Sequence, residues 1–181
     1  MSELTTAIAH VNAARAADPE VHDRMVALAE GHEDALVRTC RPGHFTGSAV
    51  VIDPESERFL LMLHTKLGLW LQPGGHADGE GDLAAVALRE ATEETGIEHL
   101  EVIEPAVDLD IHRVDPPAED AHEHHDVRFL VLAPAGAEVC GNDESQELRW
   151  VDLDELDQLV PDDNSRRMAR NALARLRSLD R

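Results

Sequence analysis

The sequence contains no tyrosine, only three phenylalanines and two tryptophans, and few basic residues. Acidic residues outnumber Lys and Arg by 37 to 16, which gives a formal net charge of −21 at pH 7. Because a field of this sign repels a phosphate backbone, we expect no nucleic-acid partner. A small molecule that carries phosphates remains an acceptable ligand if bound metal cations offset the negative charge locally.

Cysteine and long apolar runs are also scarce. The two cysteines, Cys40 and Cys140, lie far apart and form no CxxC pair, so we expect reduced thiols and no disulfide framework. Residues 1–20 have neither a basic start nor a continuous apolar run, unlike a signal peptide. No stretch reaches the roughly 18 apolar residues that a membrane span needs. These absences predict a soluble, cytoplasmic protein without a membrane partner.

The length of 181 residues favours one domain of moderate size. Apolar residues at helical spacing within residues 3–38 predict an N-terminal helical extension, residues 1–38, that packs on the domain or on a homodimer partner and carries no chemistry. Residues 39–181 then form the functional domain. Their patterns predict strands at 45–53, 58–64, 100–114, 122–133 and 146–153, and helices at 82–95, from residue 154, and at 164–177. This interleaving indicates a layered α/β or α+β fold.

The helix predicted at 82–95 concentrates acidic residues near its C-terminal end. Glu90, Glu93 and Glu94 fall on one arc, beside a narrow face of small side chains, because successive helical residues turn by about 100°. One interpretation is a solvated face with an i,i+4 ion pair between Arg89 and Glu93. However, acids at this end of a helix oppose its dipole and repel one another. Three carboxylates beside a glycine-rich loop are better explained as ligands for Mg²⁺.

Together with that loop, the helix resembles the signature of the Nudix hydrolases. The signature, G-x5-E-x7-R-E-U-x-E-E-x-G-U with U aliphatic, is matched by Gly75 and by the run REATEETGI at residues 89–97. The resemblance extends over roughly residues 44–178. It implies an α/β/α sandwich around a mixed β-sheet. It also implies metal-dependent hydrolysis of the diphosphate linkage in a nucleoside diphosphate derivative or a similar small organic diphosphate.

The resemblance further implies roles for individual residues. Glu90 and Glu94 would bind Mg²⁺ or Mn²⁺, together with the carbonyl of Gly75. Glu93 would bind a second ion or help to activate water, and Arg89 would orient the glutamates through a salt bridge.

Two positions leave alternatives open. Glu144 or Glu147, ahead of the strand at 146–153, is the expected source of a further ligand or base, and a solvated loop is the alternative. The first glutamate of the signature falls on Gly81, so that either neighbour, Glu80 or Asp82, is a candidate substitute.

The eleven histidines suggest a second site. In a strand at 122–133, His122, His124 and Asp126 alternate onto one face. Other histidines stand in or beside neighbouring elements: His44, His76 and, as an alternate, His112. Imidazoles with a carboxylate suit Zn²⁺ or Mn²⁺. We therefore consider a second metal site formed by His44, His76, His122, His124 and Asp126; the alternative is a polar pocket of neutral histidines that recognises the substrate.

A second, local resemblance is to isopentenyl-diphosphate isomerase. Its metal-binding histidines match His44 and His76, and its pair of strand glutamates falls on His124 and Asp126. Its catalytic cysteine, however, corresponds to Gly74, and its own signature is degenerate whereas this one keeps the metal-bearing acids. The isomerase reaction is therefore disfavoured.

Three functions compete at this point. A metal-dependent diphosphate hydrolase leads, an isomerase-like enzyme is the second, and a non-catalytic Nudix-fold ligand sensor is the third. A sensor would be expected to have an eroded signature, so the intact Glu90, Glu93 and Glu94 argue against it. The absence of tyrosine removes the downstream tyrosine associated with diadenosine polyphosphate hydrolases of this family. The sequence does not identify the substrate.

Overall fold

The computed structural model describes residues 2–115, 120–160 and 162–179. Within these ranges the chain forms five helices and seven strands. In chain order they are α1 (Glu3–Ala13), α2 (Pro19–Gly31), β1 (Gly43–Asp53), β2 (Arg58–His64), β3 (Trp70–Leu71), β4 (Gly74–His76), α3 (Leu83–Thr95), β5 (Glu101–Val114), β6 (His122–Leu132), β7 (Ser145–Val151), α4 (Leu153–Leu159) and α5 (Asp163–Leu179).

Local sequence signals fix the helix ends. Helices α1 to α4 each begin after a polar side chain that accepts hydrogen bonds from free backbone N–H groups of the first turn. These caps are Ser2, Asp18, Asp82 and Asp152. Helix α3 ends at Gly96, whose φ of 67° is in the left-handed region that glycine tolerates best. The start and end predicted for α3 are therefore correct to within one residue.

All seven strands belong to one mixed sheet. Its main path is β3-β2-β1-β6-β5, while β4 pairs with β1 and β7 pairs with β2. Strands β1 and β6 are parallel, and the other pairings are antiparallel. The parallel pairing places His44 beside His124 and Ser48 beside Arg128. The first halves of β1 and β6 thus bring their polar side chains together on one face of the sheet.

Helices cover both faces of this sheet, which confirms the predicted α/β/α sandwich. On one face, Phe45 and Phe129 of the sheet are buried in a cluster with residues of α1, α2 and α3. On the other face, Ile52 and Leu130 are buried with residues of α4 and α5. The polar row of β1 and β6 lies on the α5 side and continues the row of these apolar residues, because alternate strand residues share a face.

The structure differs from the sequence-based expectation in three respects. Residues 70–71 form the short strand β3, which the sequence patterns did not predict. Residues 74–76, expected as loop, form the short strand β4. The helical extension consists of two helices, and the second ends at Gly31, so that the helical region does not reach residue 38 as expected. Ala7 of α1 and Met25 of α2 are fully buried in the same cluster as the sheet. No helix in the described ranges is both long and apolar enough to cross a membrane.

Candidate active site

Helix α3 lies unusually close to the sheet because glycines face it. A Cβ added at Gly47 would lie 2.7 Å from the carbonyl oxygen of Leu83, and one added at Gly75 would overlap the carboxylate of Glu90. Three of the buried α3 side chains are alanines: Ala84, Ala87 and Ala91. This close approach brings the glutamates of α3 against the backbone of β4.

Glu94 is the most enclosed of these glutamates, with 4% of its surface exposed. Its Oε2 accepts a hydrogen bond of 3.0 Å from the Gly74 N–H. Burial raises the pKa of Glu94 to about 7, and the nearby charges of Glu90, Glu144 and Glu93 add to the rise, although the Gly74 hydrogen bond opposes it. Without a cation, the site therefore holds more negative charge than it readily accommodates.

Arg89 contacts the neighbouring glutamate rather than the one a turn later. Its Nη2 donates to Oε1 of Glu90 at 2.9 Å and to the carbonyl oxygen of His76 at 3.4 Å. The arginine thus links the middle of α3 to the end of β4. This contact fits the orienting role that the sequence suggested for Arg89.

The structure places the three other predicted acids differently from one another. Glu93 is exposed, and its carbonyl oxygen accepts a hydrogen bond of 3.1 Å from the Asn142 side chain. Oδ1 of the same Asn142 accepts the Glu144 N–H at 2.8 Å, so the loop that carries Glu144 is tied to the end of α3. Glu147 instead binds Arg149 on β7, at 2.6 Å. Of the two alternatives for a further ligand or base, Glu144 is therefore the one positioned near Glu94.

A cavity of about 630 Å³ opens beside the Arg89–Glu90 pair. It is lined by Glu3, Ala77, Asp78, Gly79, Glu80, Arg89 and Glu90. Of the two candidates to replace the missing glutamate at position 81, Glu80 lines this cavity. Asp82 instead caps α3 by accepting the Ala85 N–H at 3.0 Å.

The predicted histidines converge on the other face of β4. Ligand atoms of His44, His122 and His124 all lie within 4.8 Å of one another. The ring centroid of His76 is 5.1 Å from those of both His44 and His124. His112 is less central: its ring is 5.4 Å from His124, and its Nδ1 lies 2.9 Å from Oδ2 of Asp110.

Two of these imidazoles, His44 and His124, have pKa values far below the usual value. His44 is fully buried, and neither of its ring nitrogens has a hydrogen-bond partner among the described residues. Burial lowers the pKa of His44 to about 4 and that of His124 to about 3, and the neighbouring imidazoles add to both shifts. Both rings are therefore neutral at pH 7, which is the form that binds metal ions.

Asp126, the carboxylate predicted to join these histidines, is occupied elsewhere. Its Oδ1 accepts hydrogen bonds of 2.8 Å from both Thr46 and Ser48, and its Oδ2 accepts one of 2.8 Å from Arg128. It lies on the same strand face as His124, as the alternation predicted, but its oxygens are directed to these partners.

Arg128 is the centre of a buried charge network that the sequence analysis missed. Its guanidinium also contacts Asp108 at 3.2 Å and Asp110 at 2.8 Å, and Arg167 of α5 reaches Asp108 at 2.8 Å. The carboxylates hold the pKa of Arg128 above its usual range despite its burial. The alternation of Asp108 and Asp110 in one strand and of Asp126 and Arg128 in another was the available signal. The network fixes the polar face beside the histidines.

Comparisons with known proteins agree with this architecture. The sequence model of the NUDIX domain family matches residues 43–173. A Streptomyces rubellomurinus protein named CMP-5'-(N-acetyl-N-hydroxy-3-aminopropyl)phosphonate hydrolase is 35% identical over 124 residues, which cover 61% of this chain and 53% of the relative. The chain thus spans about half the length of that relative.

Two solved structures share the fold. The Ap4A hydrolase of C. elegans, in a binary complex, superposes with a TM-score of 0.62 at 20% identity, covering 74% of this chain and 98% of that one. The dihydroneopterin triphosphate pyrophosphohydrolase of E. coli gives 0.61 at 18% identity, covering 75% and 97%. Because the family match extends over more than half of the sequence and includes both β1 and the glutamate helix, the chain belongs to the Nudix family.

Proposed function

We propose that this protein is a divalent-metal-dependent hydrolase that cleaves the diphosphate linkage of a nucleoside diphosphate derivative or a similar small organic diphosphate. One observation carries the proposal: Glu90 and Glu94 of α3 are packed against the Gly74–Gly75 backbone, with Glu94 buried despite its charge. The name of the Streptomyces relative, a hydrolase of a CMP-linked phosphonate, supports a nucleotide-containing substrate.

The donor set fits Mg²⁺ or Mn²⁺. Hard divalent cations prefer carboxylate and carbonyl oxygens, and the site offers Glu90, Glu93, Glu94 and the carbonyl of Gly75. When bound, such an ion supplies charge neutralisation for the phosphates and activation of water. Burial and the nearby glutamate charges raise the pKa of Glu94, so a bound cation would favour its charged form.

The chain's own residues hold this site in place. Arg89 fixes Glu90 through its guanidinium, and the Gly74 N–H fixes Glu94. Glu144 stands close enough to Glu94 to raise its pKa, and we assign it the role of the base that accepts a proton from the attacking water. Glu93 is exposed and serves either a second ion or this water.

The test is a panel of diphosphates assayed with Mg²⁺ or Mn²⁺ and after treatment with a chelator. It contains nucleoside diphosphate sugars, CMP-linked phosphonates, dinucleoside polyphosphates and isopentenyl diphosphate. We expect metal-dependent release of a nucleoside monophosphate from at least one nucleotide substrate. Isomerisation of isopentenyl diphosphate, or tight binding of a compound without turnover, would instead support the isomerase-like or the sensor alternative.

We also propose a second metal position at His44, His122 and His124, with His76 as the fourth ligand. The unpartnered nitrogens of the fully buried His44 favour it, because a buried polar group without a partner is energetically costly. Imidazole nitrogens suit Zn²⁺ or Mn²⁺ better than Mg²⁺, so the two positions differ in metal preference. Asp126 is omitted from this set because of its contact with Arg128.

Elemental analysis of the purified protein tests the histidine position. We expect bound transition metal in the wild type and its loss in a His76→Ala, His124→Ala double variant, while the exposed His99→Ala variant keeps it. If the wild type retains no metal and the double variant binds added Zn²⁺ equally well, the cluster is a polar wall of the substrate pocket.

We further propose the domain bounds, the compartment, the oligomeric state and the partner of this enzyme. Residues 39–181 form the catalytic domain, the protein acts in the cytoplasm as a monomer or a homodimer, and its partner is a small diphosphate rather than a nucleic acid or a membrane. The net charge of −21 supports the last point. Size-exclusion chromatography coupled to light scattering distinguishes the two oligomeric states.

A further inference from the structure

The position where the family signature has its first glutamate is occupied here by Gly81, and α1 explains why. A Cβ at Gly81 would overlap the backbone carbonyl of Glu3, the first residue of α1. Gly81 is therefore the residue that lets the N-terminal helix lie directly on the loop that precedes α3. No larger side chain fits at position 81 while α1 is in place.

The same helix returns a carboxylate to this place. Oε2 of Glu3 accepts a hydrogen bond of 2.8 Å from the Gly81 N–H. The Glu3 side chain also lines the cavity that contains Arg89 and Glu90. Glu3 lies 78 residues earlier in the chain than Gly81. Its carboxylate thus lies beside the position where the signature has its first glutamate.

A second contact fixes α1 over the start of α3. Nε2 of His10 lies 3.3 Å from Oδ1 of Asp82, the residue that caps α3. The other ring nitrogen of His10 lies 3.3 Å from Glu104 of β5, and its ring packs edge-on against Phe129 of the sheet. Ala7 and Val11 of α1 are fully buried in the core. Glu3 is therefore presented to the loop by a helix held at both ends.

We infer that Glu3 is a positioning residue of the candidate active site, which from the N-terminal extension holds the backbone of Gly81, the position where the signature has a glutamate. Its hydrogen bond to the Gly81 N–H holds the loop 77–81 in place. Residues of this loop line the same cavity as Arg89 and Glu90, so the loop in turn positions that pair. The extension is then part of the active site, contrary to the expectation that it carries no chemistry. The inference rests on the proposed hydrolase function.

The test compares Glu3→Ala with Glu3→Gln, since a glutamine oxygen can still accept the Gly81 N–H whereas alanine cannot. Glu20→Ala is the matched control, because Glu20 is the first-turn acid of α2. We expect Glu3→Ala to weaken Mn²⁺ binding by about tenfold, because the loop 77–81, which lines the cavity together with Arg89 and Glu90, loses a hydrogen bond. We also expect it to lower kcat/KM by about tenfold and to speed amide hydrogen exchange in residues 77–81. Glu3→Gln should restore most of each loss, and Glu20→Ala should match the wild type.

Two results would overturn the inference. The first is a Glu3→Ala variant with wild-type Mn²⁺ affinity and kcat/KM, even if exchange at residues 77–81 is faster, because Glu3 would then only attach the helix. The second is a Glu3→Gln variant as impaired as Glu3→Ala, which would make charge rather than the hydrogen bond decisive. If the wild type hydrolyses no diphosphate, the proposed function fails, and the Mn²⁺ affinities of the same variants still decide the role of Glu3.

Discussion

The backbone N–H of Gly74 donates a hydrogen bond of 3.0 Å to Oε2 of Glu94, which ties the last turn of α3 to β4. The bond holds a buried carboxylate in one orientation without using a charged partner. The orientation of this carboxylate is therefore set by the backbone of the fold, whereas its charge remains available for a cation.

Replacing Glu94 with glutamine separates these two properties. The amide oxygen can still accept the Gly74 N–H, so we expect an unchanged or slightly higher unfolding temperature, since a buried charge is removed. Hydrolysis should fall by roughly two orders of magnitude or more because a metal ligand is lost. Steady-state kinetics and thermal unfolding measure both effects, and the exposed Glu98→Gln variant is the control. Wild-type turnover by Glu94→Gln would show that Glu94 does not bind the metal.

The buried network around Arg128 should dominate the stability of the polar face. Replacing Arg128 with alanine leaves Asp108, Asp110 and Asp126 without their shared cation, although Arg167 still reaches Asp108. We expect the free energy of unfolding to fall by about 3–5 kcal/mol, as for other buried ion pairs that lose one partner. Urea denaturation measures it. In the control Arg177→Ala, an exposed ion pair with Glu57 is removed, and the midpoint should barely change.

Replacement of Gly96, the residue at the end of α3, should destabilise the protein. Gly96 has a φ of 67°, and a Cβ there would lie 2.6 Å from the carbonyl oxygen of Cys140. Gly136 has a similar φ of 66° but no atom within 4 Å of the added Cβ. We expect Gly136→Ala to lower the free energy of unfolding by about 1 kcal/mol through backbone strain alone. Gly96→Ala should cost clearly more, because the overlap adds to the strain. Equal losses would mean that the loop at Cys140 moves aside freely.

The two thiols should differ in their reaction with iodoacetamide. Cys40 is fully buried, and burial, together with the nearby Asp34, raises its pKa to about 11. A raised pKa means that the reactive thiolate is rare at pH 8 and grows only as the pH approaches 11. Exposed Cys140 should therefore be alkylated first at pH 8. Mass spectrometry of the wild type and of Cys140→Ser checks this; rapid labelling of Cys40 at pH 8 would contradict the expected burial.

The sequence predicted the structure best where short-range patterns decide it. Helix α3 follows from a capping residue at Asp82, a face of small side chains and a terminal Gly96, all within fifteen residues of one another. The convergence of His44 with His124 required more, namely the assumption that two strands are neighbours. The parallel pairing of β1 and β6 satisfies that assumption.

Features that depend on a distant partner could not be predicted. The segment Gly74–His76 has no strand propensity of its own and is extended because Thr46–Ser48 offers a backbone to pair with. Likewise, the alternation placed Asp126 correctly on the face of His124, but Asp108, Asp110 and Arg167, which complete its charge network, come from distant segments of the chain. Nothing near Gly81 in the sequence indicates that Glu3, 78 positions earlier, accepts the hydrogen bond of its backbone N–H.

The parallel alignment of β1 with β6 has a consequence for how the chain avoids mispairing while it folds. A slip of β6 by one residue would turn every side chain of that strand to the opposite face. Arg128 would then enter the apolar layer that contains Phe45 and Phe129, and Phe129 would turn to the face that carries Ser48 and Val50. Because an isolated charge in an apolar layer is energetically costly, the slipped arrangement is much less stable than the observed one. The charged residues Asp126 and Arg128 of β6 thus favour one register of β6 against β1. The same register brings His44 next to His124.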